Sequence, residues 1–352
     1  MSLFRDSIDA LSAYQPGEQP KAGERVIKLN TNENPYPPSP KAVRVLRELD
    51  PDALRRYPRP YADAAREAAA RLYGVPTDRV LVGNGSDDLL TMVMRSTAEP
   101  GRKVAFATPT YVLYRTLARI QAAEVVEVAF DDDYRLPVEA LAAAGAAVTL
   151  VATPNSPSGT RASNDDLRRL ATAVPGLLVI DEAYTDFADD NALPLAQELP
   201  NVLVLRTLSK GYSLAGLRVG FGVARPDVIA GLAKVKDSYN VDAVASAVAT
   251  AAIEDQDWKN ANAERVKASR AKLTAGLEEL AFRVWPSEAN FLLVRPSDGK
   301  AGVLYEALKA RGILVRYFNQ PRLDDKVRIT VGTDEQNAAL LAVIRETAQE
   351  RS

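Results

Sequence analysis

The sequence predicts an α/β fold with a large domain and a smaller α+β domain, and three observations carry that prediction. Helix-like and strand-like segments alternate from about residue 60 to residue 225. Several strand-like runs, among them Leu177 to Ile180 and Val202 to Leu205, are apolar on both faces, as a sheet covered by helices on each side requires. After about Arg225 the order changes to a long helical stretch, then strand, helix, two strands and a helix. With 352 residues, 47% of them apolar, the chain can bury a core large enough for both domains.

The elements follow in order. Residues 1–36 read as an irregular arm with prolines at its turns, Gln15-Pro16-Gly17 and Asn34 to Pro38. The large domain is expected over 37–245 and the small one over 246–352. Tyr61 to Tyr73 is an Ala-rich helix stopped by Gly74. Val80 to Val82 is a strand, after which Ser86 caps a helix that ends before Pro100. Further strands are expected at Val104 to Ala107, Val125 to Val128, Val148 to Ala152, Leu177 to Ile180, Val202 to Leu205 and Val219 to Val223, with a helix over Val112 to Ala122. Asp227 to Leu280 is helical with a break near Val241. Strands at Phe291 to Val294, Ile313 to Val315 and Val327 to Val331 and helices at Val303 to Lys309 and Asn337 to Thr347 complete the chain.

Composition excludes much chemistry. A net charge of −2 gives no reason to expect a nucleic-acid or membrane-surface partner. No apolar run is long enough to span a bilayer, and Met1 to Asp6 lacks a secretory apolar segment, so a cytoplasmic location is expected. The chain has no cysteine and no histidine. Disulfides, thiol nucleophiles, imidazole acid–base chemistry and Cys- or His-ligated metals are therefore impossible, and no metal is expected. Protons must move on Lys, Tyr, carboxylates or a cofactor.

Ligands of open α/β sheets bind beyond the carboxyl ends of the strands, and five stations lie there. Gly83-Asn84-Gly85-Ser86-Asp87 joins a strand to a helix start, where glycine backbone and helix amides cradle phosphate; it is also an ordinary capped helix start. Pro109-Thr110-Tyr111 offers an aromatic that either stacks on a ring or packs in the core. In Thr153 to Gly159, turn chemistry explains the residues, while Asn155 offers a hydrogen bond to a cofactor oxygen. Asp181 ends a buried strand and needs a cation or exposure, and Tyr184 follows it. Thr207 to Arg218 places Lys210 among hydroxyls, with Arg218 eight positions on, as an imine-forming lysine beside a phosphate site would be. Each station alone is weak. Their joint order points to a site for a phosphate-bearing aldehyde cofactor with a protonatable ring, bound through an imine.

Over essentially its whole length the chain resembles the fold-type I pyridoxal-phosphate enzymes of the aminotransferase class I/II group, which have a mixed, mostly parallel sheet sandwiched by helices. Within the group it is most similar to the histidinol-phosphate aminotransferases. The resemblance rests on Leu29 to Pro35, Arg56-Tyr57-Pro58, Gly83 to Asp87, Thr207 to Arg218, Asp237 to Asn240 and Val327 to Gly332. It implies that Lys210 joins the aldehyde of pyridoxal 5'-phosphate as an imine, with Asp181 on the ring nitrogen, Asn155 and Tyr184 on the ring oxygen and Tyr111 stacked on the ring. Gly85, Ser86, Asp87, Thr207, Ser209 and Arg218 surround the phosphate, Asp87 through its backbone amide. Tyr57 reaches that phosphate from a neighbouring subunit, implying a homodimer whose arm packs with the small domain and the partner. Arg328 holds the anionic end of the substrate, with Arg316, Asn34 and Tyr14 nearby.

The implied reaction is ping-pong transamination between L-histidinol phosphate and 2-oxoglutarate in histidine biosynthesis, with Lys210 and Asp181 catalytic together with Tyr184. Rivals are an aromatic amino-acid aminotransferase, a phospho-amino-acid decarboxylase and a non-catalytic cofactor-binding module. The chain departs from the usual pattern at Asp88, where Glu is common, and at Gly211-Tyr212-Ser213, which replaces the commoner Ala-Phe-Gly.

Overall fold

Successive side chains of a strand point to opposite faces, so a strand buried on both sides must supply two cores at once. The computed structural model, which describes residues 2–13, 18–20, 23 and 25–349, shows this along the central strands. Seven strands make the main sheet: β1 (Val80–Gly83), β2 (Lys103–Thr108), β3 (Glu124–Ala129), β4 (Val148–Ala152), β5 (Leu177–Asp181), β6 (Val202–Thr207) and β7 (Gly220–Val223). Leu178, Ile180, Val202 and Val204 join one buried cluster, with helices Asp63–Tyr73, Asn164–Ala173 and Ala243–Ile253. The alternate residues Val179, Leu203 and Leu205 join another, with helices Ser86–Thr97, Leu113–Ile120 and Pro226–Ala233.

The strand order is β1-β7-β6-β5-β4-β2-β3. β7 runs antiparallel to both its neighbours, and the other pairs are parallel. The sheet is mixed and mostly parallel, as expected.

A second, antiparallel sheet has the order β10-β11-β9-β8, where β8 is Arg283–Val284, β9 Phe291–Arg295, β10 Arg316–Tyr317 and β11 Val327–Thr330. Leu273, Leu277, Leu304, Leu308, Leu340 and Ile344, from the three helices beside it, close a third core. The arm is tied to this unit: Leu29 lies in that core, and Ile27–Lys28 pairs in parallel with Ile313–Leu314. The expected strand at Ile313 to Val315 thus shortens to Ile313–Leu314 and pairs with the arm, while the second sheet takes the next strand, Arg316–Tyr317.

Other elements differ from expectation for identifiable reasons. Gly85, with φ +81°, is the residue that caps the helix, and Ser86 is its first helical residue. Gly is the residue that adopts that φ without strain, which frees Ser86 to face the crevice. Helices at Pro40–Arg47, Val138–Ala143, Asn164–Ala173 and Leu193–Glu198 were not foreseen. Asn164–Ala173 did carry a start signal, because the Ser163 hydroxyl accepts from Asp166 N. The stretch from 227 to 280 is broken twice, around residues 234–242 and 254–255. Helix Ala243–Ile253 crosses the expected boundary at 245, yet its Ala249, Ala252 and Ile253 belong to the first core. The change of packing partner falls nearer Asp255.

Candidate functional site

The carboxyl ends of β5 and β6 open into a cleft of about 540 Å³, lined also by the arm and the second sheet. At one side stands Arg218, held in the left-handed region at φ +57°. Its guanidinium donates to Asp87 Oδ2 at 3.2 Å and to Ser209 Oγ at 3.5 Å. Backbone approaches it closely: a Cβ on Gly85 would lie 2.7 Å from Arg218 Nη2, and one on Gly220 2.5 Å from Ser86 N. Ser209 N donates to Thr207 Oγ1 at 3.2 Å, and that hydroxyl donates to Ser209 Oγ at 2.9 Å. Ser86, Thr207, Ser209 and Arg218 all line the cleft at the start of a 12-residue helix that has no side-chain cap. A cation, hydroxyls and open helix amides together form an anion cradle. The Asp87 carboxylate turns away from that role. It accepts from Arg218 and from Tyr111 Oη at 3.1 Å, orienting both.

Asp181 is 5% exposed. Burial pushes its carboxyl up to about 6, only partly countered by the hydrogen bond from Tyr114. Tyr114 Oη donates to Asp181 Oδ2 at 2.8 Å and Ala183 N to Oδ1 at 3.2 Å. No ion pair to Asp181 forms among the described residues, so the site suits a cation brought by a ligand. Tyr111 lines the cleft edge-on to Tyr114, with ring centroids 5.7 Å apart. Burial and the adjacent Asp87 raise its hydroxyl above the usual tyrosine range.

Lys210 lines the same cleft. Its Nζ donates to Thr31 O at 3.4 Å and lies 5.6 Å from the centre of the Tyr184 ring. The following residue explains the unusual motif. A Cβ on Gly211 would lie 2.5 Å from Asp186 Cγ, and Asp186 pairs with Lys259 at 3.3 Å. The Tyr212 hydroxyl accepts from Gln256 Nε2 at 2.9 Å, and Ser213 takes the left-handed φ of +59°.

On the second sheet, Arg316 and Arg328 stand directly opposite each other in register. Like charges so placed repel, unless an anion lies between them. Both line the cleft, and both guanidiniums flank Phe318, at 5.2 Å and 5.7 Å from its centre. Arg328 donates to Ser156 Oγ at 3.0 Å and to Asn30 O at 2.9 Å, which holds it in place.

Two expected site residues, Asn155 and Asn34, stand elsewhere, Tyr57 lies apart from this chain's own cleft, and Tyr14 lies outside the described residues. The Asn155 amide sits behind the cleft wall, donating to Pro109 O at 3.2 Å and Ser158 Oγ at 3.0 Å. To reach a ring oxygen it must give up one of those bonds. Asn34 was expected at the substrate. Its amide instead donates to the backbone oxygens of Lys210 and Gly211, at 3.1 and 3.3 Å, so it holds the lysine loop. Tyr57 is 83% exposed and stacked on Tyr239 at 4.6 Å, away from this chain's own cleft. Tyr114, Asn32 and Phe318 were missed. Tyr114 reads in sequence as core, being fully buried beside Leu117 and Ala118.

Among the described residues there is no metal-binding cluster of acidic side chains, and no helix is long and apolar enough to cross a membrane. The lining fits pyridoxal 5'-phosphate. The cradle at Arg218 suits its phosphate, the uncompensated Asp181 its ring nitrogen, and Lys210 its aldehyde.

A family model described as aminotransferase class I and II matches residues 24–344. Histidinol-phosphate aminotransferase 1 of Trichormus variabilis is 57% identical over 98% of this chain and 99% of its own. The protein of the same name from Nostoc sp. is 56% identical over 99% of each. The crystal structure of histidinol-phosphate aminotransferase from Sinorhizobium meliloti in complex with pyridoxal 5'-phosphate superposes with a TM-score of 0.90, at 27% identity and over 99% of both chains.

Proposed function

We infer the reaction from one premise: this chain belongs to the aminotransferase class I and II family. It is a transaminase. Its reaction is L-histidinol phosphate + 2-oxoglutarate = imidazole acetol phosphate + L-glutamate, a step of histidine biosynthesis. The observation that carries this reading is one cleft holding Lys210 and Asp181 together with two separate cationic groups, Arg218 in the loop before β7 and the Arg316–Arg328 pair on the second sheet.

Pyridoxal 5'-phosphate, when bound, supplies an aldehyde carbon and a protonated ring that accepts an electron pair. Lys210 Nζ would hold that carbon at rest, and, once freed by the donor's amine, would take and carry the proton of the amine-bearing carbon of the substrate. Asp181 keeps the ring nitrogen protonated. Tyr184 would serve the ring oxygen, joined by Asn155 only once its amide releases Pro109 O or Ser158 Oγ, and Tyr111 would cover the ring face. Gly85, Ser86, Thr207, Ser209 and Arg218 hold the phosphate, with Asp87 aiming Arg218. The donor has a phosphate where 2-oxoglutarate has a carboxylate. Forked arginines bind either anion, so Arg316 and Arg328 serve both half-reactions. The exposed Tyr57–Tyr239 stack supports a homodimer in which Tyr57 completes the partner's cradle. A cytoplasmic location accords with such a biosynthetic role.

The test is steady-state formation of glutamate from 2-oxoglutarate. With L-histidinol phosphate as donor, kcat/KM exceeds that for L-phenylalanine, and Arg328→Ala loses most of the difference. A higher kcat/KM for phenylalanine would make the protein an aromatic aminotransferase.

A further inference from the structure

The Leu29 to Pro35 segment contains Asn32, which the reaction above leaves without a part. Asn32 is 1% exposed and holds a left-handed φ of +57°, which Asn adopts more readily than most residues. Its backbone N–H donates to Thr330 Oγ1 at 3.0 Å. The Thr330 hydroxyl in turn donates to Asn32 Oδ1 at 3.1 Å. That contact fixes the amide: Oδ1 faces Thr330, and Nδ2 faces the Tyr184 hydroxyl, to which it donates at 2.9 Å. Asn290 Nδ2 adds a bond to Asn32 O at 3.0 Å, and the Tyr184 ring is held edge-on by Phe291 at 4.9 Å.

A tyrosine hydroxyl has one proton. Because Tyr184 Oη accepts from Asn32, its own proton is directed elsewhere, and Tyr184 lines the cleft. We propose that Asn32 is a positioning residue: it makes Tyr184 a hydrogen-bond donor toward the ring oxygen of the bound cofactor, in an orientation fixed by Thr330 of the second sheet and by Asn290 just before β9. This rests on the cofactor reading above. A hydrogen bond donated to the ring oxygen favours its charged form. Removing it therefore raises the pH at which the visible band of the bound cofactor titrates.

The experiment loads the full-length protein with pyridoxal 5'-phosphate and follows that band against pH. Asn32→Asp keeps the shape and the left-handed backbone preference but accepts where Asn donates, which turns the Tyr184 proton away from the cleft. Asn32→Asp and Tyr184→Phe should each raise the midpoint by about one pH unit, and the double variant should go no further. Thr330→Val unlocks the amide and should give a smaller shift of the same sign, which keeps the test open if Asp at position 32 fails to fold. A parental midpoint in a folded Asn32→Asp or Thr330→Val protein, or additive shifts in the double variant, overturns the proposal. If the parent binds no cofactor with a visible band, it is the cofactor reading that fails.

Discussion

Asp181 and Glu182 are consecutive, both nearly buried, and end the same strand, yet they face opposite situations. Behind the sheet, Glu182 pairs with Arg206 at 2.8 Å and accepts from Ala192 N at 2.6 Å. Arg206 is itself covered by the Tyr73 ring at 5.7 Å. Burial raises the Glu182 carboxyl, and Arg206 counters part of that rise. In front, Asp181 receives hydrogen bonds from Tyr114 and Ala183 but, among the described residues, no cation. The difference separates a structural carboxylate from a functional one. Where the chain answers the charge itself, the group holds the fold; where it leaves the charge to a ligand, the group belongs to the site.

The largest expected effects test that division directly. Asp181→Ala should lower kcat on the order of 10²–10³-fold while leaving the folded spectrum intact. Glu182→Ala strands the buried Arg206 charge and should cost about 3–5 kcal/mol of stability, read from urea midpoints. An inactive but fully stable Glu182→Ala protein would erase the distinction.

A second prediction concerns pH in the cofactor-free protein. The folded Asp181 carboxyl lies near 6, against about 3.9 for an ordinary Asp in an unfolded chain. Between those values the folded state binds the extra proton, so stability falls as pH rises through that window. Asp181→Asn should flatten this slope and stabilise the cofactor-free protein at pH 8 by about 3 kcal/mol. An unchanged slope in urea titrations would contradict the front-side reading.

Smaller effects sharpen the picture of the lysine loop. Gly211→Ala forces a methyl against Asp186 and should cost about 1–3 kcal/mol, with part recovered by adding Asp186→Ser. No loss in Gly211→Ala would show that the loop gives way. Tyr57→Phe, the least change, should weaken cofactor binding by roughly tenfold in equilibrium titration, with stability unaltered.

Much of the site was legible because strand ends mark it. Lys210, Asp181, Tyr184, Tyr111 and Arg218 follow apolar runs, and the structure gathers all five around one cleft. What escaped the sequence was direction. Asn155 and Asn34 have the right chemistry, but Pro109, Ser158 and the lysine loop's own backbone oxygens claim their amides. Tyr114 lies on the apolar side of helix Leu113–Ile120, where its hydroxyl is invisible to a hydrophobic pattern. Asn32 depends on Thr330, 298 positions away. The strands of the main sheet were read from apolar runs, whereas Val138–Ala143 is too short to establish a helical period, and Asn164–Ala173 was overlooked despite its Ser163 cap.

The central claim is that Lys210 holds pyridoxal 5'-phosphate in this cleft. The most direct measurement is to load the protein, reduce it with borohydride and map the modified peptide by mass spectrometry. The account predicts a single phosphopyridoxyl adduct on Lys210, absent from Lys210→Ala. An adduct on another lysine, or none, would contradict it.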